Sequence, residues 1–326
     1  MGGIFTSLLI GGYNKLYHRS LCNNTSGDIP ENEVVKTRIF TNINHRKRGL
    51  LIGVNYNTNS TKYDNRDSSG NIIQNIRSFL KEKCFFSRWQ LKSLEDSDAT
   101  RKNIVTELLQ LVAYSNAQPG SELWFSYTGI GIPNISVANK DRSDVIYPYD
   151  YERNGVIDDE WIHNNFLRAL NPDTKLFILV DCGKSGSIMT LPYYFKSTSI
   201  GKVMHYGFKR CECEDPGYDG DADSETDIVP VSGRVCEFDE YTHKTEHLCS
   251  IIKLGVCDDN QIIGDYFDFS FNEYQGALSS LFLRLDNQMK LCNNLDNMAN
   301  NLISKNFTHR PVLSYSHIWG DEISII

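Results

Sequence analysis

The stretch Lys175-Leu176-Phe177-Ile178-Leu179-Val180-Asp181 constrains the fold more than any other. An unbroken apolar run ends in an acid and passes into Cys182-Gly183-Lys184-Ser185-Gly186-Ser187. A strand with no polar alternation is buried on both faces, as in a parallel sheet covered by helices. Ligand crevices of such sheets lie outside the carboxyl ends of the strands. Gly49 to Tyr56, Ser121 to Gly131 and Leu248 to Gly255 read the same way, with shorter strands over Trp89 to Leu94 and Arg310 to Ser316. Between them apolar residues recur at helical spacing: Ile72, Ile73, Ile76, Phe79 and Leu80, then Ile104, Leu108, Leu111 and Val112. Trp161, Phe166, Leu167 and Leu170 follow Asp158, a good helix cap. Further helices are expected over 271–285 and 291–303. The alternation predicts an α/β fold, a mostly parallel sheet with helices on both faces.

The chain has 326 residues and a net charge of −8, so a nucleic-acid role has no electrostatic support. Basic residues gather locally at His45-Arg46-Lys47-Arg48. Nine scattered cysteines form no framework, which reads as a reduced, cytoplasmic protein. No apolar stretch is long enough to span a bilayer, and no signal-peptide pattern opens the sequence. Met1-Gly2-Gly3-Ile4-Phe5-Thr6 fits the myristoylation pattern, with Gly2 as the acceptor. One acyl chain would give weak membrane-surface association, with K on the order of 10⁴ per molar.

Several chemistries are open at the strand end. A phosphate loop fails, because the first glycine of the pattern would have to stand at Ile178. A thiol nucleophile needs a base within hydrogen-bond reach. Cys182 has none on the neighbouring exit Thr128-Gly129-Ile130-Gly131, which leaves a distant residue such as His205. The acidic run Asp219 to Glu225 begins like a calcium loop, but Pro230 stands where the closing Glu belongs. Cys211, Cys213, Cys236, His243, His247 and Cys249 fit no standard zinc spacing.

Taken together, the segments resemble the metacaspases, relatives of the caspases. Arg48 to Tyr56 is similar to the family's first strand, and Phe125 to Gly131 to its F-x-Y-S-G-H-G segment. Asp144 to Asp150 and Ile157 to Glu160 resemble D-E-x-I-x-P-x-D and I-x-D-D-E. Asp181 to Ser187 resembles D-x-C-H-S-G-S, and Gly255 to Asn260, Gly276 to Leu278 and Arg310 to Ser316 continue the likeness. The resemblance implies a caspase-like three-layer α/β/α sandwich of about six strands. Residues 1–45, rich in Asn, Gly, Ser and Thr, read by composition as a flexible tail that acylation at Gly2 would lipidate, and the resemblance implies a caspase-like domain over 46–326. That domain divides into a large-subunit-like part (46–198), an acidic insertion or flap (199–247) and a small-subunit-like part (248–326).

The departures are specific. The family's base histidine falls on Ile130, its nucleophilic cysteine on Gly183 and the next histidine on Lys184. Of the two acids implied for a basic-residue pocket, one is kept as Asp181 and the other falls on Ile72. Asp158 and Asp159 match two acids of a calcium cluster, while Thr190 replaces a third; no other cofactor is implied. The expected function is that of a catalytically inactive peptidase homologue acting by binding a protein or peptide segment. Two alternatives stand beside it: a cysteine endopeptidase using Cys182, and a scaffold or decoy for an active metacaspase.

Overall fold

The computed structural model describes residues 37–38, 40–41, 45–56, 68–130, 134–135, 142–143, 145–183, 185, 188–189, 191, 193–198, 201–206, 248–255, 265–268, 273–284, 291–304, 311–316 and 323–324. The sheet strands are β1 (Lys47–Gly53), β2 (Leu91–Glu95), β3 (Glu122–Thr128), β4 (Lys175–Asp181), β5 (Tyr193–Thr198), β6 (Gly201–Tyr206), β7 (Ser250–Gly255) and β8 (Val312–Tyr315). The helices are α1 (Ser69–Glu82), α2 (Arg101–Ala117), α3 (Tyr151–Asn154), α4 (Asp159–Ile162), α5 (Ala277–Phe282) and α6 (Leu291–Ser304). The eight strands run in the order β6-β5-β8-β7-β4-β3-β1-β2. β2, β1, β3, β4 and β7 are mutually parallel. β8, β5 and β6 extend that block in antiparallel pairing.

Each central strand buries both faces because its alternate side chains enter two cores. Leu51, Trp124, Phe177, Leu179, Ile252 and Leu254 pack with Phe79 and Leu80 of α1, Phe282 of α5 and Met298 of α6. Leu50, Ile52, Phe125, Tyr127, Ile178 and Val180 pack with Leu108 and Leu111 of α2 and with Phe166 and Leu167. The result is the expected α/β/α sandwich. On the first face Trp124 stacks on Phe177 with centroids 4.7 Å apart, and Phe282 closes on both rings. All described residues lie in one compact unit, Lys36–Ile326.

The sheet has eight strands rather than about six. The two additions are the hairpin β5–β6, and β6 lies inside the stretch read as an insertion or flap over 199–247. Its turn carries no Asn-Gly or Asp-Gly signal, and Lys196 and Lys202 interrupt the apolar pattern. Residues 207–247 fall outside the described set. The helix expected over 271–285 shortens to α5, preceded by a hairpin of Asp265–Asp268 with Glu273–Gly276. α2 is capped by Thr100, whose hydroxyl accepts the N–H of Asn103 at 3.2 Å. After α4 the chain makes one π turn, His163–Leu167.

At the amino ends of the strands Lys47 is fully buried, 3.6 Å from the carboxylate of Glu122. Its ammonium also donates to the carbonyls of Thr41 and Cys84. Burial lowers the Lys47 pKa, and the Glu122 charge opposes that shift. Burial also pushes the Cys84 thiol and the Tyr127 phenol well above their ordinary values, and Cys249 up to about 12. These three raised acids stabilise the fold below their unfolded pKa values, and that contribution fades as pH climbs above about 9. Lys47, with a lowered pKa, acts with the opposite sign below its ordinary 10.5. Tyr114 is raised as well, so the raised acids outnumber the one lowered base, and stability is expected to fall by roughly a few kcal/mol between pH 8 and pH 10.5. Urea unfolding across that range checks it, and Cys249→Ala should flatten the slope.

Candidate functional site

Thr128 and Asp181 are register partners at the carboxyl ends of β3 and β4. Two residues beyond each stand Ile130 and Gly183, on adjacent strand exits. Ile130 is buried and Gly183 half-buried. These are the positions on which the resemblance drawn from the sequence would set the family's base and nucleophile, and this chain carries an alkyl group and a hydrogen there. Lys184 lies outside the described residues.

The backbone at Ile130 is held by phenols. The Tyr56 hydroxyl accepts the Ile130 N–H at 3.3 Å and donates to the Tyr147 carbonyl at 2.6 Å. The Tyr127 hydroxyl donates to the Ile130 carbonyl at 2.9 Å and accepts the Tyr147 N–H at 3.3 Å. The two phenol oxygens are 3.0 Å apart. Sequence reading missed this cluster, since tyrosines in buried strands look like plain core residues. Tyr56 has φ +59, as does Asp96 at +42 and Met189 at +55. These three residues follow the carboxyl ends of β1, β2 and β4, while a fourth of the same kind, Phe85, lies at the opposite pole.

Asp181 and Ile72 come together on one face. They line a tightly packed crevice, with no room for a water molecule, together with Ile73, Ile76, Ser126 and Ser279. The Asp181 carboxylate is 1% exposed. Its Oδ2 accepts the Ser279 N–H at 2.9 Å and the Ser279 hydroxyl at 2.6 Å. Ser279 is the third residue of α5, whose own N-cap, Gly276, has no side chain to offer. Asp181 thus caps the helix from across the chain, satisfying an orphan N–H. A Cβ at Gly276 would sit on that same Oδ2 and come within 2.9 Å of Ile72 Cδ1. Only glycine permits this closure.

Cys182 faces the other core layer, with Tyr127, Ile130, Ile188 and Met189, and is fully buried. One titratable neighbour is the Tyr127 phenol, an acid kept protonated by burial. His205 is in β6, four strands from β4 in the sheet, or about 19 Å of strand spacing. The pairing of Cys182 with His205 is therefore overturned by topology.

Asp158 and Asp159 both serve the fold. Asp158 Oδ1 accepts the Trp161 N–H at 2.7 Å as the cap of α4. Asp159 Oδ1 accepts the Met189 N–H at 2.7 Å, tying down the segment after Gly183. Among the described residues no three His, Cys, Asp or Glu side chains gather as a metal site. Thr190, Gly2, the acidic run 219–225 and the cysteines and histidines over 211–247 lie outside the described residues. Cys249 is buried in the core with a raised pKa, which disfavours the thiolate a metal would need. A buried lysine completes the site. Lys253 of β7 reaches the carbonyls of Ser185 at 3.3 Å and Ile188 at 2.6 Å, beneath the segment after Gly183. Its signal was in the sequence: one cation inside the run Ile251-Ile252-Lys253-Leu254.

The sandwich thus carries two paired strand exits, a crevice lined by Asp181 and a tethered loop. Comparison with known proteins places this arrangement beside the metacaspases. Residues 47–192 match the family model for the metacaspase, peptidase C14 domain. Metacaspase-1 of Candida albicans is 29% identical over 307 residues, covering 85% of this chain and 66% of its own length. Metacaspase-1 of Lodderomyces elongisporus is 28% identical over 306 residues, with the same coverage. The chain thus spans just under two thirds of these relatives. These matches support a metacaspase assignment for the domain over residues 47–192. Among solved structures, protein GSU0716 from Geobacter sulfurreducens shares the fold, with a TM-score of 0.50 at 14% identity over 84% of this chain and 94% of its own. No helix among the described residues is long and apolar enough to cross a membrane.

Replacing Asp181 by alanine strands both Ser279 donors and opens a cavity. We expect Asp181→Ala to lose about 2–4 kcal/mol in urea unfolding, and Asp181→Asn, which keeps an acceptor, about half as much.

Proposed function

We propose that this chain is a metacaspase-family protein without peptidase activity, which acts by binding a protein or peptide segment. The observation that carries the reading is the content of the two paired strand exits: Ile130 and Gly183 offer neither base nor nucleophile. Covalent catalysis needs both, so their replacement removes the route rather than slowing it. Two further features support it. Cys182, the adjacent thiol, is enclosed and faces away from Asp181. The acid that would meet a basic side chain is engaged by Ser279.

Purified protein incubated with fluorogenic Arg- and Lys-ended peptides, with and without calcium, should give no turnover above buffer. Iodoacetamide should label Cys182 only under denaturing conditions. Cleavage abolished by Cys182→Ser would overturn the proposal in favour of an atypical peptidase. The double variant Ile130→His with Gly183→Cys tests the frame itself, by reaction of the new thiol with an Arg-ended chloromethyl ketone.

A further inference from the structure

Two of the large apolar side chains most exposed among the described residues share one short connection: Phe85 at 50% and Trp89 at 78%. It joins the end of α1 to the start of β2. Since β2 runs parallel to β4, this connection lies at the pole opposite the candidate site.

The segment is built to present these rings. Cys84 and Phe86, on either side of Phe85, are buried. Phe86 packs edge-on against Phe40 at 5.4 Å, and its N–H donates to the Leu80 carbonyl. Lys47 holds the Cys84 carbonyl from below at 2.7 Å. Between these anchors Phe85 is kept at φ +58, a conformation bulky L-residues avoid unless their surroundings impose it. The next turn, Arg88–Gln90, is braced as well. The Ser87 N–H donates to Gln90 Oε1 at 2.7 Å, and the Gln90 amide donates to the His45 carbonyl at 2.9 Å. Trp89 stands outward on a fixed support.

The surround is basic. Lys81, Lys83, Arg88 and Lys92 are exposed, with Glu82 the single acid between positions 81 and 92. His45 and Arg46 are exposed at the same pole, where Arg46 donates to the Pro119 carbonyl at 2.8 Å. The whole chain carries −8, so an anionic surface repels it except where the local charge is reversed. Aromatic rings that insert at headgroup depth, ringed by lysine and arginine, match an anionic bilayer surface in both chemistry and charge.

We propose that this pole docks on anionic lipid, with Trp89 and Phe85 entering the headgroup layer and the basic residues facing lipid acids. The inference is independent of any peptidase chemistry and of acylation at Gly2. Full-length, unacylated protein is sedimented with vesicles of phosphatidylcholine, alone or with one third phosphatidylserine. Binding is expected only to the second, with a blue shift of tryptophan emission that Trp89→Ser abolishes. Phe85→Ser with Trp89→Ser should weaken binding at least tenfold, and Lys83→Glu with Arg88→Glu by more, at about fivefold per basic residue removed from an anionic surface. Unchanged thermal melting shows that the variants fold. No sedimentation with either vesicle overturns the proposal, as does binding indifferent to these substitutions. Self-association lost in Trp89→Ser, seen by analytical ultracentrifugation without lipid binding, would reassign the surface to a protein interface.

Discussion

Taking a carboxylate out of water costs several kcal/mol unless hydrogen bonds replace its hydration. Asp181 offsets part of that cost through Ser279, which gives its N–H and its hydroxyl to Oδ2. The bond joins residues 98 positions apart and fixes the start of α5 to the end of β4. Phe282 of α5 then closes on Trp124 and Phe177 at the middle of the sheet. The helix, the aromatic stack and the shape of the cleft therefore depend on one charged contact. That contact also sets the chemistry of the cleft. A carboxyl group 1% exposed and bonded to a helix terminus serves the fold, and Ile72 beside it adds no charge.

The central strands were legible because both their faces are buried. Where every residue must be apolar, composition alone marks the element. The hairpin β5–β6 was missed for the opposite reason: it extends the antiparallel flank, and its lysines blur the pattern. Trp89 shows a subtler error. Its hydrophobicity invites placement in the strand, but β2 starts at Leu91 and the indole faces outward. Side-chain apolarity cannot distinguish a residue that makes a core from one that makes a surface.

At the site, legibility followed locality. Asp158 as a helix cap is a contact over three residues, and it stands as read. Asp159 with Met189 spans 30 residues, and Lys253 with Ser185 spans 68. Contacts at such separations depend on which strands are neighbours, so they become visible only once the sheet order is known. The positions 130 and 183 were found through likeness to a family motif. Their adjacency follows from the pairing of β3 with β4.

The phenol clamp shows why such a frame persists with different contents. Tyr56 and Tyr127 bind the N–H and the carbonyl of Ile130, not its side chain. The loop would hold the same course with histidine, isoleucine or any residue that fits. Likewise Lys253 holds backbone carbonyls after Gly183, and Asp159 holds a backbone N–H there. Backbone-directed contacts make the scaffold indifferent to the chemistry mounted on it. Catalytic groups at 130 and 183 could then be exchanged without the collapse that usually follows a buried substitution, because neither exchange leaves one of these buried polar groups without its partner. The contacts that hold this end of the sheet therefore do not run through the side chains at 130 and 183. That separation is the physical condition under which the chemistry at a strand end can change while the fold is kept.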